Sequence, residues 1–150
     1  CEIGSVEVPK YMDVETYKTL HQLVTTVCGK IKKDVDVIEV LEKTFPGGSM
    51  TGAPKIRTLE IIDELEEVPR GVYSGTIGYI SNNSCMDFNI VIRTAVIEDD
   101  KATIGVGGAI ILLSDDEDEF DEIVLKAKGS LLALQSYYNN FDEIEIEGSN

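Results

Sequence analysis

The chain has 150 residues, 43% of them hydrophobic, which suits one globular domain with a real core. Its 28 acidic residues against 13 basic ones leave a formal charge of −15, and the basic residues form no stripe beyond Lys30, Lys32 and Lys33, so nucleic-acid backbones and anionic membranes are excluded as partners. No apolar run reaches the roughly 20 residues of a membrane span and no signal peptide opens the chain, so the expected location is the cytoplasm.

Cys1, Cys28 and Cys85 are odd in number and show no C-x-x-C spacing, so they read as reduced thiols. The opening from Cys1 to Pro9 has neither Met nor helix cap and reads as the edge of a piece cut from a longer polypeptide. Val14, Tyr17, Leu20, Leu23, Val24, Val27 and Ile31 recur at mostly helical intervals and predict a helix over 15–32. A short helix over 35–43 follows, then a break rich in Gly and Pro from Phe45 to Pro54. Ile56, Leu59, Ile62 and Leu65 give a third helix one apolar face, with Pro54 suited to its first turn.

From Gly71 the period becomes alternating. Residues 74–81, 86–98 and 101–113 read as three strands of an antiparallel meander. In the middle strand Phe88, Ile90 and Ile92 share one face, and Asp87, Asn89, Val91 and Arg93 share the other. A last helix over 116–138 packs through Ile123, Ala127, Leu131 and Leu134, and an acidic tail over 142–150 follows a domain covering 1–141.

Glu119, Glu122 and Lys126 stand at i, i+3 and i+7 of that helix and share one stripe, able to hold a divalent cation together with the anion it neutralises. The same run is also what an ordinary solvated helix start looks like, with Ser114 and Glu117 as a capping box. Gly47-Gly48-Ser49-Met50-Thr51-Gly52 ahead of a helix offers unhindered amides and two hydroxyls to a carboxylate or phosphate, or is a plain glycine turn. Gly105, Gly107 and Gly108 mark a bulge or a close backbone approach. His21 is either a structural histidine or a substrate contact, and Arg93 either a site guanidinium or the ion-pair partner of Asp87 or an acidic neighbour. One histidine and no nucleophile elbow leave no hydrolase triad to assemble.

Four motifs in order carry a resemblance. They are Phe45-Pro46-Gly47-Gly48-Ser49-Met50-Thr51-Gly52-Ala53-Pro54-Lys55-Ile56-Arg57, Arg70-Gly71-Val72-Tyr73-Ser74-Gly75-Thr76-Ile77-Gly78-Tyr79, Asp87-Phe88-Asn89-Ile90-Val91-Ile92-Arg93-Thr94, and the Glu119 to Lys126 stretch. Together they resemble the chorismate-binding enzymes over nearly everything from Ile3 to Leu134, and the Pro-Gly-Gly-Ser form is more similar to the aminodeoxychorismate branch than to anthranilate synthases. The resemblance implies an α/β fold, the C-terminal part of a sandwich of antiparallel sheets flanked by helices. It implies Glu119 and Glu122 holding Mg²⁺ against a substrate carboxylate, with Lys126 beside them. It implies Tyr73 and Arg93 gripping the enolpyruvyl carboxylate, the backbone of Gly107, Gly108 and Ala109 approaching the same group, Ser49 near the ring and His21 near the departing hydroxyl.

The implied activity is an aminodeoxychorismate synthase component I acting on chorismate, with ammonia from a glutamine amidotransferase subunit and the product leading to para-aminobenzoate and folate. The alternatives are anthranilate synthase component I, an isochorismate or salicylate synthase, and a non-catalytic domain that keeps the fold. The family often carries Gly where this chain has Ala109, and the family's N-terminal half, with its other metal-binding glutamate and the branch's nucleophilic lysine, has no counterpart here. The isolated 150-residue chain is therefore expected to be inactive; turnover of chorismate with ammonia and Mg²⁺ by that chain would refute the expectation.

Overall fold

The β-branched run Val24 to Val27, with Val14 and Thr16 flanking Glu15 earlier in the chain, sets the character of the N-terminal third. In the computed structural model, which describes residues 1–18 and 21–137, the chain forms two compact units, Cys1–Lys43 and Thr44–Asn150. The predicted 142–150 tail and Tyr138 lie outside the described residues.

The first unit corrects the sequence reading. Where a helix over 15–32 was expected, strand β1 (Glu7–Thr16) pairs antiparallel with β2 (His21–Cys28), in a register that sets Thr16 opposite His21 and Val14 opposite Leu23. The helical spacing of the apolar residues has no buried face to serve, because Val14, Leu23 and Val27 are all exposed. The β-branched residues prefer extended backbone, and the ladder satisfies their amides. Glu2 N donates to Lys30 O at 2.7 Å, and Ser5 Oγ accepts from Lys30 N at 3.1 Å, closing the open end of the hairpin. Helix α1 (Val37–Thr44) follows, with Asp36 Oδ1 accepting from Glu39 N at 2.9 Å as an N-cap should.

In the second unit a single turn, α2 (Gly48–Thr51), precedes α3 (Lys55–Leu65). Lys55 Nζ donates to Phe45 O at 2.6 Å, and Thr58 Oγ1 donates to Pro54 O at 3.1 Å, so both ends of the glycine turn are tied to α3. Gly52 between them has φ +92°, and a Cβ there would stand 3.2 Å from Thr58 Cγ2.

Strands β3 (Gly78–Ile80) and β4 (Met86–Phe88) pair antiparallel, as do β5 (Ala95–Glu98) and β6 (Lys101–Ile104). Bonds from Asn89 N to Ile77 O, Val91 N to Gly75 O and Ser74 N to Val91 O prolong the first ladder down to Ser74. The expected continuous strand over 86–98 is broken: Ile92 N donates back to Ile90 O at 3.0 Å and Arg93 takes φ +51°. Facing therefore does not alternate through the break, and Val91, placed by parity beside Arg93, is the enclosed residue at 2% exposure while Arg93 is exposed. The expected strand over 101–113 stops at Ile104, and in the segment that follows Leu112 and Leu113 stand 99% and 88% exposed. Helix α4 (Asp116–Tyr137) closes the described chain, and none of the described helices is long and apolar enough to cross a membrane.

Gly52→Ala is expected to destabilise the second unit by about 1–3 kcal/mol, because the backbone there lies where L side chains are strained. Urea unfolding checks this, and an unchanged midpoint would contradict it.

Candidate functional site

Tyr73 leads the site because of what lies under its ring. It sits in the turn after α3, where its N–H donates to Arg70 O at 3.1 Å. The ring rests on the backbone after β6: a Cβ at Gly105 would overlap the Tyr73 ring, and one at Gly107 would come within 2.8 Å of the phenol oxygen. Strand β6 ends because the chain bends under this side chain, and only residues without a Cβ allow that approach.

The other side of the same backbone faces α4. Lys126 Nζ donates to Gly107 O at 3.2 Å and pairs with Glu122 Oε1 at 2.6 Å. A Cβ at Gly108 would stand 3.2 Å from Glu119 Oε2 and 3.6 Å from Ile123 Cγ1. Tyr73, Gly107, Gly108, Glu119, Glu122 and Lys126 thus form one connected cluster.

Ser114 has a different task from the expected capping box with Glu117. Its Oγ accepts from Ile111 N at 3.0 Å and donates to Glu119 Oε1 at 2.5 Å. The cap of α4 is Asp115, whose Oδ1 accepts from Glu117 N at 3.1 Å and Asp118 N at 3.3 Å. A carboxylate at the N-cap and four acidic residues in the first turn also favour the positive end of the helix dipole.

A hard divalent cation such as Mg²⁺ takes six oxygens, commonly one or two of them carboxylate. Glu119 and Glu122 each have one oxygen engaged, by Ser114 and by Lys126, leaving Oε2 of each without a hydrogen bond among the described residues. No group of three or more His, Cys, Asp or Glu able to hold a metal occurs among the described residues. The donor set fits a cation that draws its other ligands from substrate and water.

The remaining sequence candidates stand outside this cluster. Arg93 is exposed on its positive-φ turn and makes neither the Asp87 ion pair nor any other among the described residues. Ser49 is exposed on α2, and the turn lies against the prolonged β3–β4 ladder through Gly47, where a Cβ would stand 3.8 Å from Ile90 Cδ1. Ala109 is exposed. His21 begins β2 in the first unit, with Nδ1 3.0 Å from Thr16 Oγ1, a strand position in place of the helical one expected.

Sequence reasoning missed Arg70. Its Nε and Nη2 donate to the two oxygens of Glu66 at 2.7 and 2.5 Å, and its Nη1 donates to Met50 O at 2.9 Å and Ser74 Oγ at 3.3 Å. The i, i+4 spacing of Glu66 and Arg70 gave no signal, because both lie beyond the end of α3 with Pro69 between them, where that spacing does not make neighbours. Arg70 and Tyr73 also line a cavity of about 280 Å³ with Val91, Thr103 and Gly105. The Arg70 fork holds the Glu66 carboxyl below its ordinary value of 4.5, against a smaller opposing effect of burial.

Folded Glu66 thus binds a proton more weakly than it does in the unfolded chain. Its stabilising contribution is fully present above pH 4.5 and is lost as pH falls through the lower folded value. Glu66→Gln is expected to flatten the acid limb of the stability curve below pH 4.5, measured by urea midpoints across pH; an acid limb identical to wild type would contradict this.

The family described as chorismate binding enzyme matches residues 1–132. The chain is 53% identical over 137 residues to "Aminodeoxychorismate synthase, chloroplastic" of Arabidopsis thaliana, covering 91% of this chain and 15% of that protein. It is 55% identical over 135 residues to "Aminodeoxychorismate synthase" of Streptomyces pristinaespiralis, covering 90% of this chain and 19% of the relative. The crystal structure of anthranilate synthase component I from Streptococcus pneumoniae TIGR4 matches with a TM-score of 0.78 at 39% identity, covering 84% of this chain and 29% of that one. The chain spans less than a fifth of the length of these two curated relatives.

Proposed function

The chain belongs to the chorismate binding enzymes, and from that premise we propose that it forms part of an aminodeoxychorismate synthase component I, which replaces the 4-hydroxyl of chorismate by an amino group. The observation that carries the reading is the connected cluster in which Gly107 lies between Tyr73 and Lys126 while Glu119 stands against Gly108. Identities of 53% and 55% to the two aminodeoxychorismate synthases, against 39% to the anthranilate synthase, support the branch.

Chorismate is a dianion, and a chain of charge −15 must meet it with local positive charge. In this reading the Tyr73 hydroxyl, the Arg93 guanidinium and the amides of Gly107, Gly108 and Ala109 bind the enolpyruvyl carboxylate. Ser49 lies near the ring. Lys126 has its ammonium oriented by Gly107 O and by Glu122 Oε1, so it meets the substrate in a fixed position. Family resemblance alone assigns His21 to the departing hydroxyl. Glu119 and Glu122 would hold Mg²⁺, which would supply charge neutralisation and Lewis acidity toward a substrate carboxylate. A glutamine amidotransferase subunit supplies ammonia, and the product, 4-amino-4-deoxychorismate, feeds para-aminobenzoate and folate synthesis. The reading makes the chain part of a cytoplasmic enzyme of transferase or lyase type.

Full-length enzyme given chorismate, glutamine, Mg²⁺ and the amidotransferase is expected to release 4-amino-4-deoxychorismate. Anthranilate with pyruvate would move it to the tryptophan branch, and binding without turnover would make it a non-catalytic domain. Because Ser114 orients Glu119 from behind, Ser114→Ala is expected to cost about tenfold in Mg²⁺ affinity by calorimetry. Unchanged affinity would remove Glu119 from the proposed metal set.

A further inference from the structure

We propose that Arg70 is a positioning residue that fixes the glycine turn and Tyr73 to each other, so that both present their donors to the same anion. The inference rests on the chorismate reading of the site for its catalytic consequence, while its structural part stands on geometry alone. One nitrogen, Nη1, donates both to Met50 O at 2.9 Å and to Ser74 Oγ at 3.3 Å. Met50 follows Ser49 directly and Ser74 follows Tyr73 directly, so each candidate binding residue lies one residue from an atom held by that nitrogen.

The other face of the guanidinium is anchored by the two-bond fork to Glu66 just beyond α3, and the two side chains are only 26% and 32% exposed. A planar fork gripped on one edge leaves the opposite edge in a defined direction, which a flexible lysine ammonium cannot reproduce. Partial burial keeps the pair from being screened as a surface pair is. The Glu66 carboxylate holds the Arg70 guanidinium above its ordinary value against a smaller opposing effect of burial. Arg70, Tyr73 and Gly105 all line the same cavity of about 280 Å³.

The test combines amide hydrogen exchange with chorismate kinetics in the full-length enzyme. Arg70→Gln is expected to speed exchange about tenfold in residues 48–52 and in 73–76, leaving α4 at its wild-type rate, and to raise KM for chorismate about tenfold with kcat within twofold. Arg70→Lys, which keeps the charge and loses the fork, should restore less than half of either effect. Glu66→Gln, a milder change, should speed the same two segments about threefold, and serves alone if the Arg70 variants do not fold. Faster exchange in only one segment, or evenly across the chain, would overturn the proposal. So would a KM equal to wild type in a variant whose two segments have loosened. If the wild-type enzyme neither binds nor converts chorismate, the reading of the site fails, and the paired exchange response still decides whether Arg70 joins the two segments.

Discussion

The second unit depends on the approach of an aromatic ring to backbone that carries no side chains. Tyr73 lies on Gly105 and reaches Gly107, while α4 reaches the same backbone from Lys126 and Glu119. The ring contact does not survive a Cβ at Gly105, since that overlap cannot be relieved by a rotamer change alone, whereas a Cβ at Gly108 would ask only a small shift of the Glu119 carboxylate. The glycines therefore do two things at once. They end β6, and they leave the Gly107 carbonyl exposed to an ammonium that an ordinary strand would have hydrogen-bonded to a neighbour.

Charge placement follows from that contact. The protein is strongly acidic, yet the cations near the cluster are already committed: Arg70 to Glu66 and Lys126 to Glu122. A committed cation orients its neighbours and adds little net attraction for an incoming anion. Arg93 differs in being exposed, unpaired among the described residues and held on a turn of positive φ. A guanidinium in that state carries charge that has not been cancelled locally. Backbone at positive φ is costly for a residue with a Cβ, and such positions are where strain gathers at functional sites.

Helices α1, α3 and α4 were legible in the sequence, α3 from its apolar repeat behind Pro54 and α4 from its acidic first turn, although the residue that caps α4 is Asp115 and not the expected Ser114. The hairpin of β1 and β2 was not. Its apolar residues fall at helical intervals, and with β2 half-buried only at Val24 and Thr26, little in the burial distinguishes the two periods. Strand parity failed at Val91 because a three-residue turn reverses facing inside an apolar run, and nothing in the run Asn89 to Thr94 announces it. Glu119, Glu122 and Lys126 could be paired from helical spacing, since α4 is regular through them. The partnership of Ser114 with Glu119, and the double reach of Arg70 to Met50 and Ser74, join residues across loops, where spacing along the chain carries no distance information.

Val91 is the one hydrophobic side chain among the described residues that is fully enclosed, while Leu112 and Leu113 meet water over nearly their whole area. The heat capacity gained on unfolding scales with the nonpolar surface newly wetted, and so does the steepness of a denaturant transition. A chain whose leucines are wet before it unfolds has little such surface left to expose. Its melting is accordingly expected to be broad and its stability to change gently with temperature.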